Sequence, residues 1–397
     1  MKRVYLDNAA TTAVDSRVSA AMRPYFTRKF GNASEPHRWG QEARRAVDEA
    51  RRQVAGFLGA KPEEIIFTSC ATESINLAHK GVVEAMPKKP HIITSSVEHK
   101  AVIEACRHLE RVGWVDVTYL PVDKYGMVRV SDVKKAIRSE TVLVSVMYVN
   151  NEVGTVEPVA EIGRMVKKVN LSRRASQLPP VYFHTDATQA VQYFDCRVDR
   201  LGVDLLSLTG HKFYAPKGVG VLYIRKGVPL IRQQDGGGQE RQMRAGTENV
   251  PYIVALGEAI KQIAKQGPKA KKQVENLRDR LIEGLLKIPG VRLTGHPTKR
   301  SPHIASFVVE GVEGEALLLL LSDKGIAASS GSACTSGTLE PSRVLTAMGF
   351  PPELSHGSLR LSLGKDTTSE DIDYVLQVLP EVIARLRKMA PKVVTSD

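Results

Sequence analysis

The feature that most constrains the fold of this sequence is an alternation of short apolar runs and amphipathic stretches between residues 60 and 225. The apolar runs predict strands at EEIIFTS, HIITSS, VDVTYL, TVLVSVMYV, VYFHTD, VDLLSLT and GVGVLYIR. The stretches between them carry apolar residues at helical spacing, as in TESINLAHKGVVEAM, KAVIEACRHLERVG, VSDVKKAIRS and PVAEIGRMVKKV. This order predicts an α/β fold in which helices cover both faces of a mostly parallel sheet. Polar residues at the strand ends should then meet at one sheet edge and form a ligand site.

Beyond residue 260 the sequence is dominated by long charged helices, such as KKQVENLRDRLIEGLLKI and SEDIDYVLQVLPEVIARLRKMA, with a few strands between them. We therefore predict two domains. Residues 14–258 form a large domain, and residues 1–13 and 259–397 form a smaller α+β domain. Residues 170–180, NLSRRASQLPP, are polar and end in two prolines, which predicts a surface insertion.

The composition argues against several classes of protein. The chain has 56 Lys and Arg against 43 Asp and Glu, a formal net charge of +13, but these charges are interspersed on helices. We interpret them as solvated helix faces and expect no direct nucleic-acid binding. The four cysteines form no Cys-x-x-Cys pair, so the sequence indicates neither a disulfide framework nor a zinc site. No apolar run approaches the ~20 residues of a membrane helix, and we expect a cytoplasmic protein.

Three segments carry the parts of a cofactor site. Lys212 follows a Gly-His pair between two predicted strands, so its amine can project from a tight turn at the sheet edge. Asp186 ends the strand VYFHTD, where a buried carboxylate needs a positive partner. In TSCATES a strand passes into a helix near Ala71 and Thr72, and the N–H groups of a helix N-terminus bind anions. A pyridoxal phosphate site requires such a lysine, such a carboxylate and such a phosphate cradle.

Some of these residues have simpler interpretations. Lys217, in a Pro-Lys-Gly turn, competes with Lys212 as the reactive lysine. His99 and His211 could each be structural histidines. Thr72 before Glu is also an ordinary helix-capping pattern.

Other motifs leave further alternatives open. His184 and Asp186 share a strand face, as metal ligands can, although no third ligand is suitably spaced. The segment GGGQE, residues 236–240, could cradle a phosphate or mark a turn. Arg360 alternates with leucines in SLRLSLG, so its guanidinium points either into a cleft, where it would suit a carboxylate, or into solvent.

Several segments in chain order carry a family resemblance. They are YLDNAATT, FGNAS, CATES, VEHKAV, VNNEVGT, HTDATQ, TGHKFYAPKGVG, GGGQERQMRAGTENV, SSGSACTSG and SLRLSLG. With them the chain resembles the pyridoxal-phosphate-dependent cysteine desulfurases of the NifS/IscS type, within the class-V aminotransferases. This resemblance implies an aspartate-aminotransferase-like fold, pyridoxal 5'-phosphate as the cofactor, and a homodimer with its cofactor sites near the subunit interface.

The resemblance also implies roles for individual residues. Lys212 would be the Schiff-base lysine, and Asp186 would pair with the ring nitrogen. His99 would stack on the ring and relay protons. Gln189 would contact the ring hydroxyl, and Asn151 would lie beside the ring and the substrate.

The remaining implied contacts concern the phosphate and the substrate. Arg360 would bind the carboxylate of L-cysteine. The implied phosphate-binding residues are Ala71, Thr72, Thr209, Gly210, His211 and, contributed by the second subunit, Thr247.

The segment SSGSACTSGT, residues 329–338, contains a single thiol, Cys334, among small residues that are typical of an exposed loop. By the same resemblance, Cys334 accepts the substrate sulfur as a persulfide while L-cysteine becomes L-alanine. The sulfur would pass to an iron–sulfur scaffold protein or another acceptor, for cluster assembly or tRNA thiolation. Cys334 is also a candidate ligand of an iron–sulfur cluster shared with a partner.

Two alternatives to a desulfurase remain. One is a selenocysteine lyase or a related pyridoxal phosphate enzyme, and the other is a non-catalytic assembly scaffold. An aminotransferase needs no acceptor thiol, and a scaffold needs neither Lys212 nor Asp186. The sequence departs from the usual family pattern at Cys70, where a glycine is common, so a second thiol is expected near the phosphate.

Overall fold

The computed structural model of the chain describes residues 2–330 and 341–389, apart from the side chains of residues 266–268. Its strands are β1 Val4–Tyr5, β2 Ile65–Thr68, β3 His91–Ser95, β4 Asp116–Leu120, β5 Thr141–Ser145, β6 Tyr182–Asp186, β7 Leu205–Thr209, β8 Gly220–Ile224, β9 Val291–Leu293, β10 Ile304–Val309, β11 Ile326–Ala327 and β12 Ser358–Ser362. Its α-helices are α1 Ser16–Met22, α2 Pro24–Thr27, α3 Arg38–Leu58, α4 Ala71–Glu84, α5 Lys100–Arg111, α6 Val130–Ala136, α7 Val159–Ala175, α8 Val198–Leu201, α9 Val250–Leu285, α10 Gly314–Asp323, α11 Arg343–Ala347, α12 Pro352–Ser355 and α13 Ser369–Met389.

The largest sheet has seven strands in the order β2-β8-β7-β6-β5-β3-β4. All of its strands run in one direction except β8, which is antiparallel to both of its neighbours. Apart from the edge strand β4, the strands are buried on both faces because helices cover each side. For example, Leu205 packs in the cluster formed with α4 and α5, whereas Leu206 packs in the cluster formed with α3 and α9. The predicted α/β fold with a mostly parallel sheet is confirmed.

A second group of elements is built around the antiparallel sheet β12-β10-β9. Strands β1 and β11 pair beside it, and Asp7 forms a bridge with Ser362. The apolar side chains of Val4 and Leu6 therefore join the core cluster around this antiparallel sheet, together with residues of α10 and α13. The N-terminal residues thus pack with the C-terminal elements.

Helix α9 contributes to two core clusters. Ala259, Ile260 and Ile263 pack with α3 against the large sheet, and Val274 is the first α9 residue in the cluster around the antiparallel sheet. The proposed domain boundary at residues 258/259 falls inside this helix, and the packing favours a boundary further along it. The two-domain division remains a prediction.

Residues 170–180 are partly helical, because α7 continues to Ala175. The buried Arg173 guanidinium donates hydrogen bonds to the carbonyl oxygens of Pro179, Arg138, Ser139 and Thr141 at 2.7–3.0 Å. Arg173 therefore ties the surface insertion expected from the sequence to the start of β5. In the described part of the chain, no helix is both long and apolar enough to cross a membrane, and the cytoplasmic location stays a prediction.

Candidate active site

A cavity of about 670 Å³ lies where β6 and β7 end, at the sheet edge expected to bind a ligand. Gly210 and Thr247 do not line this cavity in the single chain, and Cys334 lies outside the described residues. The residues proposed from the sequence that do line it are Ala71, Thr72, His99, Asn151, Asp186, Gln189, Thr209, His211, Lys212 and Arg360.

The amine of Lys212 reaches the cavity from a short 3-10 helix, Gly210–Lys212, directly after β7. Lys212 Nζ donates hydrogen bonds to the carbonyl oxygens of Ala9 at 2.8 Å and Ala10 at 2.6 Å. A Cβ at Gly210 would lie 2.8 Å from a neighbouring side chain, so the turn requires glycine. Lys217 is exposed and does not line the cavity, which favours Lys212 as the reactive lysine.

Asp186, the last residue of β6, is only 5% exposed. Its Oδ1 accepts a hydrogen bond from the backbone N–H of Thr188 at 2.9 Å. Gln189 follows in the same turn and donates from Nε2 to the Ala9 carbonyl oxygen at 2.9 Å. A carboxylate held in this way at the cavity wall suits a cationic group of a ligand.

His99 caps the N-terminus of α5. Its Nδ1 accepts a hydrogen bond from Ala101 N at 3.1 Å, so the proton of the neutral ring lies on Nε2. Burial lowers the pKa of His99, the nearby Asp186 opposes this shift, and the charge of Lys212 adds to it. The imidazole is therefore mainly neutral at neutral pH.

Helix α4 begins at Ala71, and its N-cap residue is Cys70. The Cys70 side chain makes no capping hydrogen bond to the first turn of the helix. Cys70, Ala71 and Thr72 all line the cavity, so the free N–H groups of this helix end suit an anion there. Gly220 makes room for this turn, because a Cβ at Gly220 would lie 2.7 Å from the Cys70 carbonyl carbon. The half-buried Cys70 is thus the second thiol beside the site.

His211 and Thr209 flank the lysine turn. His211 Nδ1 lies 3.2 Å from Thr11 Oγ1, and the Thr209 hydroxyl donates to a backbone carbonyl of the adjacent chain segment. Burial, reinforced by the charges of Lys212 and Lys217, lowers the pKa of His211 to about 4. His211 is therefore a neutral hydrogen-bonding group rather than a cation.

Arg360 lies in the middle of β12 and its side chain is almost fully buried. Nη1 donates to the carbonyl oxygen of Asn151 at 2.8 Å, and Nη2 donates to Asp7 Oδ1 at 2.9 Å. Among the described residues, its Nε–H has no hydrogen-bond partner. Arg360 lines the cavity, and a guanidinium is well suited to a carboxylate ligand.

The two alternative ligand sites are not supported in the described residues. His184 uses both ring nitrogens, at 2.8 Å from Ser145 Oγ and 3.0 Å from Ser207 Oγ. No group of three or more His, Cys, Asp or Glu residues in the described part of the chain could hold a metal ion. The GGGQE segment ends in Glu240, whose carboxylate forms a buried ion pair with Arg51 at 2.7 Å rather than facing a phosphate.

The model of the family described as aminotransferase class-V matches residues 4–375 of this chain. The chain belongs to the class-V aminotransferase family. It is 52% identical over 391 residues to the cysteine desulfurase IscS of Methanosarcina thermophila, covering 98% of this chain and 94% of that protein. It is 48% identical over 392 residues to cysteine desulfurase 2 of Trichormus variabilis, covering 98% and 96%.

Solved structures of class-V aminotransferase relatives share the whole fold. A NifS-like protein aligns with a TM-score of 0.89 and 40% identity over 97% of this chain and all of its own. The structure of SspA in complex with cysteine aligns with a TM-score of 0.79 and 35% identity, over 92% of this chain and 100% of that one. The chain is therefore of the NifS/IscS type within the class-V family, as the sequence motifs predicted.

The cavity is also lined by charged residues that the sequence motifs did not identify. Lys100, Glu104 and Arg107 line it from one face of α5, and Arg343 lines it from the first turn of α11. The i, i+4, i+7 spacing on α5 was a usable signal, because the preceding His99 had already been placed at the site. Arg343 had no such signal, since its contacts are the carbonyl oxygens of Ser96 and Glu98, distant in the sequence.

Proposed function

We propose that this chain is a pyridoxal-phosphate-dependent cysteine desulfurase, which converts L-cysteine to L-alanine and transfers the sulfur to a cysteine of the enzyme. The observation that carries the proposal is the convergence of Lys212, Asp186 and Arg360 on one cavity at the strand ends. The curated relatives at 46–52% identity that bear the name cysteine desulfurase support it, as does the cysteine in the complex formed by SspA.

The cavity fits the proposed cofactor by the chemistry of its donors. The uncapped N-terminus of α4 would hold the phosphate, with Thr72, Thr209 and His211 around it. Asp186 would pair with the ring nitrogen, and Lys212 would bond the cofactor covalently. When bound, pyridoxal phosphate supplies an electron sink for breaking bonds at the substrate Cα and Cβ.

Residues of the chain would orient the substrate and move its protons. Arg360 would bind the carboxylate of L-cysteine with its guanidinium, while Asp7 and the Asn151 carbonyl hold the side chain in place. The Lys212 amine, which lines the cavity, would take up the Cα proton. His99, neutral with its proton on Nε2, would pass a proton between the substrate and the site.

Cys334 is the proposed sulfur acceptor: its thiolate attacks the substrate sulfur, an S–S bond forms, the Cβ–S bond breaks, and Cβ gains a proton to give alanine. Cys334 lies seven residues before Pro341, and both Pro341 and Ser342 line the cavity. Burial raises the pKa of Cys106 and of Cys196 far above neutrality, so neither can supply a thiolate.

Cys334→Ser and Cys70→Ser form a matched pair of variants that tests the acceptor. Cys334→Ser should still change the visible absorption of the cofactor when L-cysteine is added, but alanine formation should stop. Cys70→Ser should form alanine near the wild-type rate, although Cys70 lines the cavity. Undiminished alanine formation by Cys334→Ser, or its loss in Cys70→Ser, would contradict the assignment.

The reaction itself is tested by incubating the purified chain with L-cysteine and a thiol reductant. Alanine and sulfide should form in equal amounts. A chain that acts only on L-selenocysteine would instead be a selenocysteine lyase. A chain with neither activity nor a visible cofactor band would be an assembly scaffold.

The functional unit is proposed to be a homodimer. Thr247 is exposed and does not line the cavity of its own chain, which suits a contact with the phosphate of a second subunit. Sedimentation combined with activity on dilution tests this, and a fully active monomer would refute it. The downstream acceptor, an iron–sulfur scaffold protein or a tRNA-thiolation partner, and a shared cluster at Cys334 are part of the same proposal.

A further inference from the structure

A line of buried polar side chains runs from the segment before β10 to the wall of the cavity. Ser301 Oγ lies 2.6 Å from His303 Nδ1, and His303 Nε2 lies 3.2 Å from Gln189 Oε1. Gln189 Nε2 in turn lies 2.9 Å from the carbonyl oxygen of Ala9, which also accepts from Lys212 Nζ. Ser301, His303 and Gln189 are 0%, 5% and 6% exposed, so water does not compete at these contacts.

The direction of every hydrogen bond in this line follows from its last member. The Ala9 carbonyl can only accept, so the Gln189 atom beside it must be the amide nitrogen. The Gln189 oxygen therefore faces His303, and His303 must carry its proton on Nε2. Nδ1 is then an acceptor, and the Ser301 hydroxyl donates to it.

The surroundings hold His303 in this neutral tautomer. Burial, together with the nearby charges of Arg360, Arg278 and Lys212, lowers the pKa of His303 to about 3. Its ring also stacks on Tyr193, with centroids 4.8 Å apart and planes inclined by 27°.

We propose that His303 is a positioning residue, which fixes the Gln189 amide so that its NH₂ end, and not its carbonyl end, serves the ring oxygen of the cofactor. One amide hydrogen of Gln189 bonds to the Ala9 carbonyl, and the second has no partner among the described residues, so it can serve a ligand in the cavity that Gln189 lines. If the amide were flipped, the Gln189 oxygen would face the Ala9 carbonyl oxygen, and the Gln189 NH₂ group would face the Nε2–H of His303. This inference rests on the proposed function.

His303→Phe and His303→Gln separate the hydrogen bond from the ring stack. His303→Phe keeps an aromatic ring against Tyr193 but has no donor, so it should shift the visible absorption of the bound cofactor and release pyridoxal phosphate roughly five- to tenfold faster on dilution. His303→Gln keeps a donor and loses the ring, and it should stay close to wild type in both measurements. Ser306→Ala is the matched control and should behave as wild type. This substitution removes a buried hydrogen bond that Thr294 Oγ1 donates to Ser306 Oγ on β10.

The opposite pattern would overturn the proposal: wild-type absorption and release in His303→Phe, or equal damage in both His303 variants. Should His303→Phe fail to fold, the wild-type chain labelled with ¹⁵N-histidine still decides. Its His303 signals should show a protonated Nε2 and an unprotonated Nδ1, unchanged between about pH 5 and 8. A proton on Nδ1 or an imidazolium would overturn the proposal. This measurement needs no turnover, so failure of the desulfurase assay alone would leave it standing.

Discussion

The Arg51–Glu240 ion pair and Arg360 are all buried, but only Arg360 lines the cavity. Arg51 and Glu240, which are 4% and 3% exposed at their side chains, form two contacts of 2.7 and 2.8 Å, and the same carboxylate accepts from Phe67 N at 2.8 Å. Arg360, buried to a similar extent, keeps an Nε–H without a partner among the described residues. The Arg51–Glu240 pair stabilises the fold, whereas Arg360 is proposed to bind a ligand. Exposure alone does not distinguish them, because the difference lies in their location: Arg360 lines the cavity and Arg51 does not.

The largest effect should separate function from stability completely. Lys212→Ala should abolish alanine formation and the absorption of the covalently bound cofactor, because the amine proposed to form that bond is lost. Chemical denaturation should show a fold nearly as stable as wild type. Lys217→Ala, which removes the exposed lysine of the next turn, is the control and should remain active. Loss of activity in Lys217→Ala together with retained activity in Lys212→Ala would show that Lys217 is the reactive lysine.

Arg51→Met should produce the converse result. Removing one partner leaves the Glu240 carboxylate buried and uncompensated, which should lower the free energy of unfolding by about 3–5 kcal/mol. The activity per folded molecule should be unchanged. Arg52→Met removes the adjacent, exposed pair with Glu49 and should cost less than about 1 kcal/mol in the same urea titration. Equal losses for the two variants would remove the basis of the comparison.

Arg360→Lys sharpens the other side of the comparison. Lysine keeps the positive charge but loses the planar fork, so the KM for L-cysteine should rise by about ten- to a hundredfold while kcat changes less. Arg292→Lys, at an exposed ion pair on β9, should leave both constants unchanged. A fall in kcat at constant KM would show that Arg360 does not bind the substrate in its ground state.

The smallest effect concerns Glu98, a fully buried carboxyl next to His99 that accepts from Ser95 Oγ at 2.6 Å and Met147 N at 3.0 Å. Burial raises the pKa of Glu98 to about 8. The folded chain therefore holds a proton that the unfolded chain releases above about pH 4.5, so this group's contribution to stability falls as the pH rises towards 8.

Glu98→Gln should remove this dependence. Relative to wild type, the variant should gain about 1–2 kcal/mol of stability between pH 6 and 8, measured by denaturant titration at each pH. Glu104→Gln, on the exposed side of α5, should follow the wild-type curve. Parallel curves for wild type and Glu98→Gln would show that Glu98 is ionised in the folded chain.

Much of the fold was predictable because the main sheet is built from local patterns. Continuous apolar runs such as LLSLT and VLVS are buried on both faces, and LLSLT lies directly before the polar turn Gly210–Lys212 at the end of its strand. Lys212 and Asp186 could therefore be placed at the cavity from their positions just after and at the end of strands. The structure at the end of α7 could not be predicted in the same way, because Arg173 is held by carbonyl groups that no local sequence pattern identifies.

The sequence by itself determined the order of strands and helices, the turn that presents Lys212 and the residues that can form a ligand site. Only the tertiary structure decided which distant groups complete that site. The Ala9 carbonyl meets Lys212 across 203 positions, and His303 meets Gln189 across 114. Such contacts depend on the packing of the N-terminal segment, and of the segment before β10, against the turns that follow β7 and β6. Hydrophobic periodicity records which face of an element is buried, but it carries no record of the element that covers this face.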